Sequence, residues 1–281
     1  MALPDFLIIG AMKSGTSTLQ AQLAAHSGIF MTMPKEPNFF SDDDIYARGL
    51  PWYESLFDPA MPGDLKGEAS THYTKRPTYP KSLDRMAAVL QAPKLIYMIR
   101  NPVDRAVSHY VHEWTMGNVS TDLDSALDTY PELISYGCYG WQIAPFAKRF
   151  GADSILIISL EEMHRDNQAV LERVGAFLAL SEPLFWQPDL GRMNAGADRI
   201  RRLPLHGLIF DNTVATWARR TLVPQALRDR IRKRRQMSEA PKFSPESIQR
   251  LETVFAEDHA RLIALFPEAG GFAASYPFVA T

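Results

Sequence analysis

The chain has 281 residues, of which 46% are hydrophobic and 22% charged, proportions that are ordinary for a soluble globular protein. Its 30 Lys and Arg residues nearly balance its 32 Asp and Glu residues, which argues against a nucleic-acid-binding protein. Cys138 is the only cysteine, so neither an internal disulfide nor a cysteine-based zinc cluster can form. Because the sequence also lacks a signal peptide and an apolar run of membrane-spanning length, we expect a cytoplasmic protein.

The first predicted element is an apolar strand over residues 6–9, which ends at Gly10 and leads through a short loop into a predicted helix over 16–26. The first N–H groups of a helix have no partner within it, and the helix dipole is positive there. This order of elements therefore predicts a phosphate-binding loop. Its candidate ligands are Met12, Lys13, Ser14, Gly15, Thr16, Ser17 and Thr18.

The position of the lysine sets this loop apart from the common nucleotide-binding loop, in which lysine follows the last glycine. Here Lys13 precedes Gly15, which argues against an ordinary ATPase or GTPase. The alternative is a plain Gly-Ser turn between a strand and a helix.

A second apolar strand is predicted over 95–99, followed by a helix over 102–116. Arg100 lies at the carboxyl end of this strand, where open α/β sheets bind their ligands. Its guanidinium can bind phosphate oxygens, and the Ser108 hydroxyl can donate to them. The alternative is a local ion pair between Arg100 and Asp104.

Further strands are predicted over 65–68 and 154–159, and helices over 80–91, 141–150 and, as a short and a longer one, 159–180. Residues 34–64 contain five prolines and are expected to be irregular. The alternation predicts an α/β fold like that of the P-loop proteins, with three layers and a central, mostly parallel sheet flanked by helices.

After residue 180 only helices are predicted, over 205–221, 224–236 and 244–265. We therefore expect one domain over 1–281, with an α/β nucleotide-binding core over 1–180 and a helical C-terminal part over 181–281. Residues 228–235 form a basic cluster, which is either a solvated helix face or a surface for acidic acceptors, anionic lipid or another subunit.

Three segments together resemble sulfotransferases that use 3′-phosphoadenosine 5′-phosphosulfate (PAPS). They are GAMKSGTSTL, KEPNFF at 35–40 and IRNPVDRAVSHY. The resemblance is to the heparan-sulfate and the bacterial carbohydrate or small-molecule branches, and it extends over residues 5–180. It implies that residues 12–18 hold the 5′-phosphosulfate and that Lys13 neutralises the leaving oxygen.

The resemblance also implies that Arg100 and Ser108 bind the 3′-phosphate of PAPS or of the product 3′-phosphoadenosine 5′-phosphate (PAP). Tyr139 matches a family segment near the nucleotide. Arg201 and Arg202 belong to a loop that would fold over the 3′-phosphate. Because lysine and amide groups take the electrophilic role, no metal is required.

The general base is predicted from the same resemblance. Glu36 matches the glutamate proposed as base in the heparan-sulfate branch, and nearby aromatic rings are expected to raise its pKa. His72 is the second choice, because its match to the histidine base of the estrogen-type branch is displaced by one residue. Ala69 departs from the family, which often has a lysine there. Lys13, Lys35 or Lys75 would then supply that charge.

The sequence thus predicts a PAPS-dependent sulfotransferase acting on a hydroxyl, or less readily an amine, of a carbohydrate, lipid or small molecule. One alternative is a nucleotide-dependent kinase, which would need Mg²⁺ and a carboxylate at the end of a strand. Glu68 is the nearest candidate for that carboxylate. A non-catalytic nucleotide-binding protein is another alternative. The acceptor and the oligomeric state are not predicted.

Overall fold

A computed structural model describes residues 3–190, 237 and 239–279 of the chain. In these ranges five strands form one sheet in which every neighbouring pair is parallel, in the order β2-β3-β1-β4-β5. The strands are β1 (Phe6–Gly10), β2 (Ile29–Met31), β3 (Leu65–Ala69), β4 (Lys94–Ile99) and β5 (Ile155–Ser159). The four predicted strands are confirmed. The three-residue β2 was not predicted.

Helices connect the strands, as expected for a parallel sheet. They are α1 (Thr16–Ala24), α2 (Asp43–Tyr46), α3 (Leu50–Ser55), α4 (Ser82–Val89), α5 (Pro102–Met116), α6 (Leu123–Thr129), α7 (Glu132–Ser135), α8 (Tyr139–Phe150), α9 (Leu160–Arg165), α10 (Asn167–Leu178) and α11 (Pro245–Leu265). Helix α5 has the predicted bounds, because the Asn101 side chain caps it and Pro102 occupies its first position. The segment predicted to be irregular contains α2 and α3.

Alternating side chains of the strands face two hydrophobic layers. Leu7 and Ile9 of β1 belong to a cluster with residues of α8 and α11 on one face. Phe6 and Ile8 belong to a cluster with residues of α1 and α10 on the other. Strands buried on both faces need apolar residues throughout, which explains the continuous apolar runs. The predicted three-layer α/β fold is confirmed.

The C-terminal helix α11 packs closely against the first turn of α8. Asp258 accepts hydrogen bonds from the amides of Gly140 and Trp141, at 2.7 and 2.8 Å. A Cβ atom at Gly140 would lie 2.6 Å from the Asp258 carbonyl oxygen, so only glycine permits this approach. The predicted helix over 244–265 is confirmed, with Ser244 as its cap.

Two predicted helices, over 205–221 and 224–236, and the basic cluster at 228–235 lie outside the described residues. In the described ranges, no helix combines the length and the apolar character needed to cross a membrane.

Candidate functional site

The predicted phosphate-binding loop connects the carboxyl end of β1 to the first turn of α1. In the described structure, five amide N–H groups of this loop have no acceptor. They belong to Met12, Lys13, Gly15, Thr16 and Ser17. Free amides at the positive end of a helix dipole fit an anion such as a phosphate. These residues therefore fit the phosphosulfate end of PAPS.

Two side chains of the loop face different surroundings. Ser14 is completely buried, and its hydroxyl has no hydrogen-bond partner in the described part of the chain. Lys13 is partly exposed and forms no ion pair with a described residue. Burial lowers the pKa of Lys13, and the neighbouring Arg100 guanidinium lowers it further. Two neighbouring cations without an anion between them predict an anionic ligand there.

Arg100 lies beside the loop because β4 pairs with β1. The Ala11 amide donates to the Met98 carbonyl at 2.7 Å, which ties the loop to the end of β4. The Arg100 guanidinium reaches Asp104 at 3.9 Å, the limit of an ion pair, and it makes no other ion pair or hydrogen bond within the described ranges. Ser108 lies farther along α5 and is partly exposed.

Tyr139 holds the backbone of Arg100 from behind. Its hydroxyl donates to the Arg100 carbonyl at 2.9 Å and accepts from the Arg100 amide at 3.3 Å. The ring is completely buried, and in the described structure its hydroxyl supports Arg100. The contact of Tyr139 with a nucleotide stays a prediction. Of the other predicted ligands, Arg201 and Arg202 lie outside the described residues.

Glu36 lies in the loop that follows β2. Its amide donates to the Ala69 carbonyl at 3.0 Å, which fixes the loop against the end of β3. Its carboxylate forms an ion pair with Lys35 at 2.9 Å and accepts from the Thr71 hydroxyl at 3.2 Å. The carboxylate is thus half-buried and oriented by two donors.

The predicted pKa change of Glu36 has the wrong direction. Burial alone would raise the pKa, as expected beside aromatic rings. The Lys35 ammonium, followed by Lys75 and His72, outweighs burial and holds the pKa of Glu36 below its usual value. The carboxylate is therefore ionised at neutral pH and able to accept a proton.

His72 lies in the single turn of 3-10 helix over Thr71–Thr74 that follows β3. Its ring stacks on Tyr79 with centroids 4.4 Å apart. Burial lowers the pKa of His72 to about 4, and the nearby Lys75 lowers it as well. The imidazole is neutral above that pH, and its Nδ1 atom has no hydrogen-bond partner within the described ranges. It remains the second candidate for the base.

A buried carboxylate holds the Glu36 loop in place. Glu68 of β3 accepts hydrogen bonds from Ser70 and Tyr73, both at 2.6 Å, and from Tyr53. The Ser70 hydroxyl in turn accepts from the Asn38 amide at 3.1 Å. Sequence reasoning considered Glu68 as a metal ligand of a kinase. Three hydroxyl donors and complete burial leave it no free oxygen facing the cleft.

Ala69 has no ionisable group, and its methyl group packs into the cluster with Phe6 and Leu19. Two further charged groups lie near Glu36, namely Lys75, which the sequence offered as a substitute for the missing lysine, and Glu113, which it did not. Lys75 is buried next to Glu36, and Glu113 extends from α5. A hydrogen bond from His109 lowers the pKa of Glu113 to about 2. Lys75 and Glu113 are far apart in sequence, and only the folded chain brings them close to Glu36.

A solved relative shares this architecture along most of the chain. The sulfotransferase from Alicyclobacillus acidocaldarius is 26% identical, with a TM-score of 0.65, and the match covers 94% of this chain and 96% of that one. The mouse sulfotransferase SULT7A1, solved in complex with PAP, shares the fold at 16% identity, with a TM-score of 0.53 and coverage of 97% and 89%.

Among curated proteins, heparan sulfate glucosamine 3-O-sulfotransferase 3B1 of Mus musculus is 33% identical over 193 residues. The match covers 63% of this chain and 46% of the relative, so the chain spans about half the length of such relatives. The family profile described as the sulfotransferase domain matches residues 3–262. The resemblance found in the three sequence motifs is confirmed, and the chain belongs to the sulfotransferase domain family.

Proposed function

We propose that the chain is a PAPS-dependent sulfotransferase that acts on a hydroxyl group, with a sugar hydroxyl as the first acceptor to test. The observation that carries this proposal is the pairing of two features across one cleft. One is the phosphate loop with its free amides and Lys13. The other is the ionised Glu36, held by Lys35 and Thr71. The names of the relatives support the sulfuryl donor and, through the 3-O-sulfotransferase, the hydroxyl acceptor.

PAPS supplies a sulfuryl group on its 5′-phosphate, and transfer joins the sulfur to the acceptor oxygen while the bonding electrons of the broken S–O bond stay with PAP. The loop amides and Lys13 would stabilise the negative charge that grows on this phosphate. Arg100 and Ser108 would bind the 3′-phosphate, which distinguishes PAPS from ATP. Arginine suits this task because its planar fork matches two phosphate oxygens.

Glu36 would take the proton of the acceptor hydroxyl as its oxygen bonds to sulfur. The carboxylate needs to be ionised and oriented for this, and Lys35 and Thr71 provide both conditions. His72 is the alternative base. Both groups have a low pKa, so a pH profile alone would not separate them.

Ligand-dependent stability tests the donor. We expect PAP without Mg²⁺ to raise the melting temperature, since a ligand at about 100 Kd adds about 2.7 kcal/mol of stability. ADP, which lacks the 3′-phosphate, should have little effect. A larger shift with ADP and Mg²⁺ would favour a kinase and contradict the proposal.

Turnover tests the reaction. Labelled PAPS should transfer its label to a hydroxyl-bearing sugar in an acceptor panel. The matched control is Lys13→Met, which removes the charge at the phosphate and should abolish transfer. Release of label to water alone, at the same rate with and without every acceptor, would contradict the proposal.

A further inference from the structure

Lys75 follows the 3-10 turn that contains His72, and its backbone is fixed on both sides. On one side, the Thr74 hydroxyl donates to the Ile9 carbonyl at 2.8 Å, close to the phosphate loop. On the other, Arg76 and the Gln142 side chain exchange two hydrogen bonds of 2.9 Å. The position of this lysine is therefore set by the core of the molecule, which is the condition for a preorganised binding group.

The Lys75 ammonium has no counter-ion among the residues that the structure describes. The residue is 9% exposed, and its Nζ atom lies 5.9 Å from the centre of the Tyr136 ring. Within the described residues, Nζ makes no hydrogen bond and no ion pair. Lys35, by contrast, is paired with Glu36 at 2.9 Å. An ammonium removed from water without a partner is costly, so an external anion is the expected partner.

The 3-10 turn that precedes Lys75 contacts Glu36, because the Thr71 hydroxyl donates to the Glu36 carboxylate at 3.2 Å. Burial lowers the pKa of Lys75 to about 8, Glu36 and Glu113 raise it, and Arg105 and Lys35 lower it. Burial lowers the pKa of Lys13, and Arg100 is the first charged group that lowers it further. Lys13 and Lys75 are thus two cationic centres with different neighbours, one beside Arg100 and the other beside Glu36.

We propose that the Lys75 ammonium binds an oxygen of the sulfuryl group of PAPS, an inference that rests on the proposed function. With the phosphate held by the loop and the acceptor hydroxyl facing Glu36, the sulfuryl group lies between the two. In this arrangement the sulfuryl group is the part of PAPS nearest to Glu36 and therefore to the Lys75 ammonium. Lys75 thereby distinguishes the sulfated donor from PAP, whereas the loop and Arg100 bind both nucleotides.

Affinities measured by calorimetry without acceptor test this inference. Lys75→Met keeps the length of the side chain and removes the charge. We expect it to weaken PAPS binding about tenfold or more, because hydrogen bonds between charged groups are the strong ones, and to change PAP binding less than about threefold. Equal losses for both nucleotides, or no loss, would overturn the inference. A Lys75→Met enzyme that, in a separate transfer assay, changes only the KM of the acceptor would also overturn the inference.

Lys94→Met is the matched control. Lys94 is also a partly buried lysine near an aromatic ring, 5.7 Å from the centre of Phe177, but it lies at the opposite end of β4 from Arg100. The ratio of PAPS to PAP affinity should not change in this variant. A similar change in both variants would overturn the inference.

The pH dependence of the PAPS and PAP affinities of the wild-type chain gives a second test, which does not use the Lys75→Met variant. The preference for PAPS over PAP should decline as the pH rises through about 8 and above, where Lys75 loses its proton. Lys75→Arg stays charged and should keep the preference. A preference that does not change with pH would overturn the inference while leaving the proposed function intact. If the wild-type chain binds neither PAPS nor PAP, both the inference and the proposed function are wrong.

Discussion

The two sides of the cleft are built in different ways. The donor side consists of backbone amides in one short loop, Met12–Ser17, with Lys13 and Arg100 at its edge. The acceptor side consists of side chains from separate segments, with Glu36 after β2, His72 and Lys75 after β3, and Glu113 on α5. The positions of the loop amides follow mainly from local backbone conformation, whereas the positions of the acceptor-side groups depend on long-range hydrogen bonds. The donor should therefore be easier to identify from sequence than the acceptor.

The largest effect on activity should come from a substitution that removes the base on the acceptor side and leaves the donor side unchanged. Glu36→Gln keeps the shape of the side chain and removes the base, and we expect kcat to fall at least about 100-fold, within the range for general bases. The affinity for PAP should stay the same, because Glu36 is not part of the loop. Transfer assays and calorimetry check the two halves of this prediction. If the variant keeps near-normal kcat and His72→Ala loses it, His72 is the base.

Removing the support of the acceptor side should mainly affect stability. Glu68→Ala leaves the buried hydroxyls of Tyr53, Ser70 and Tyr73 without their acceptor. At about 1 kcal/mol for each lost hydrogen bond, the free energy of unfolding should fall by about 3 kcal/mol. Urea denaturation measures it. Glu68→Gln is the control, since it retains one acceptor oxygen and should lose less. Equal losses would show that the hydrogen bonds contribute little.

A change in the conformation of the loop should affect the donor side alone. Gly15 has a φ of +88°, and an added Cβ would lie 2.7 Å from Leu160 Cδ1. Since a left-handed conformation costs a residue with a Cβ about 1–2 kcal/mol, Gly15→Ala should weaken PAP binding about tenfold if the loop shifts to relieve it. Gly28→Ala is the control, because Gly28 also has positive φ but faces open space away from the loop. Unchanged PAP affinity would mean that the loop conformation does not limit binding.

The smallest effect is expected at the rim of the donor side. Asp104→Asn removes the 3.9 Å contact with Arg100, between side chains that are 28% and 61% exposed. Exposed pairs contribute about 0–1 kcal/mol, so stability and PAP affinity should hardly change. Thermal melting and calorimetry check this. A tenfold loss of PAP affinity would instead show that Asp104 orients the guanidinium.

The sequence predicted the elements whose pattern is local. Helix α5 begins and ends at the predicted residues because Asn101 and Pro102 mark its start and Gly117 its end. The phosphate loop follows an apolar strand and begins a helix, so its pattern is equally local. Strand β2 was missed because three residues are too few to show a periodicity. Helices α2 and α3, with four and six residues, were missed for the same reason.

Properties that depend on contacts of the folded chain were not predicted. The pKa of Glu36 is held below its usual value by its sequence neighbour Lys35 and by Lys75 and His72, which together outweigh burial. The bonds between the Tyr139 hydroxyl and the Arg100 backbone were not predicted, because a motif does not show which groups a ring contacts. The partners of Glu68 are separated from it by up to 15 residues. Only the folded chain shows the Glu68 network.

The bond between Asp258 and the start of α8 has a consequence for synthesis on the ribosome. Tyr139, which holds the Arg100 backbone, is the first residue of α8, and the amides of Gly140 and Trp141 receive their acceptor only from Asp258. The phosphate loop and Arg100 leave the ribosome well before α11. A nascent chain that ends before Asp258 therefore lacks the acceptor for these two amides. The support behind Arg100 is completed only after α11 has been synthesised.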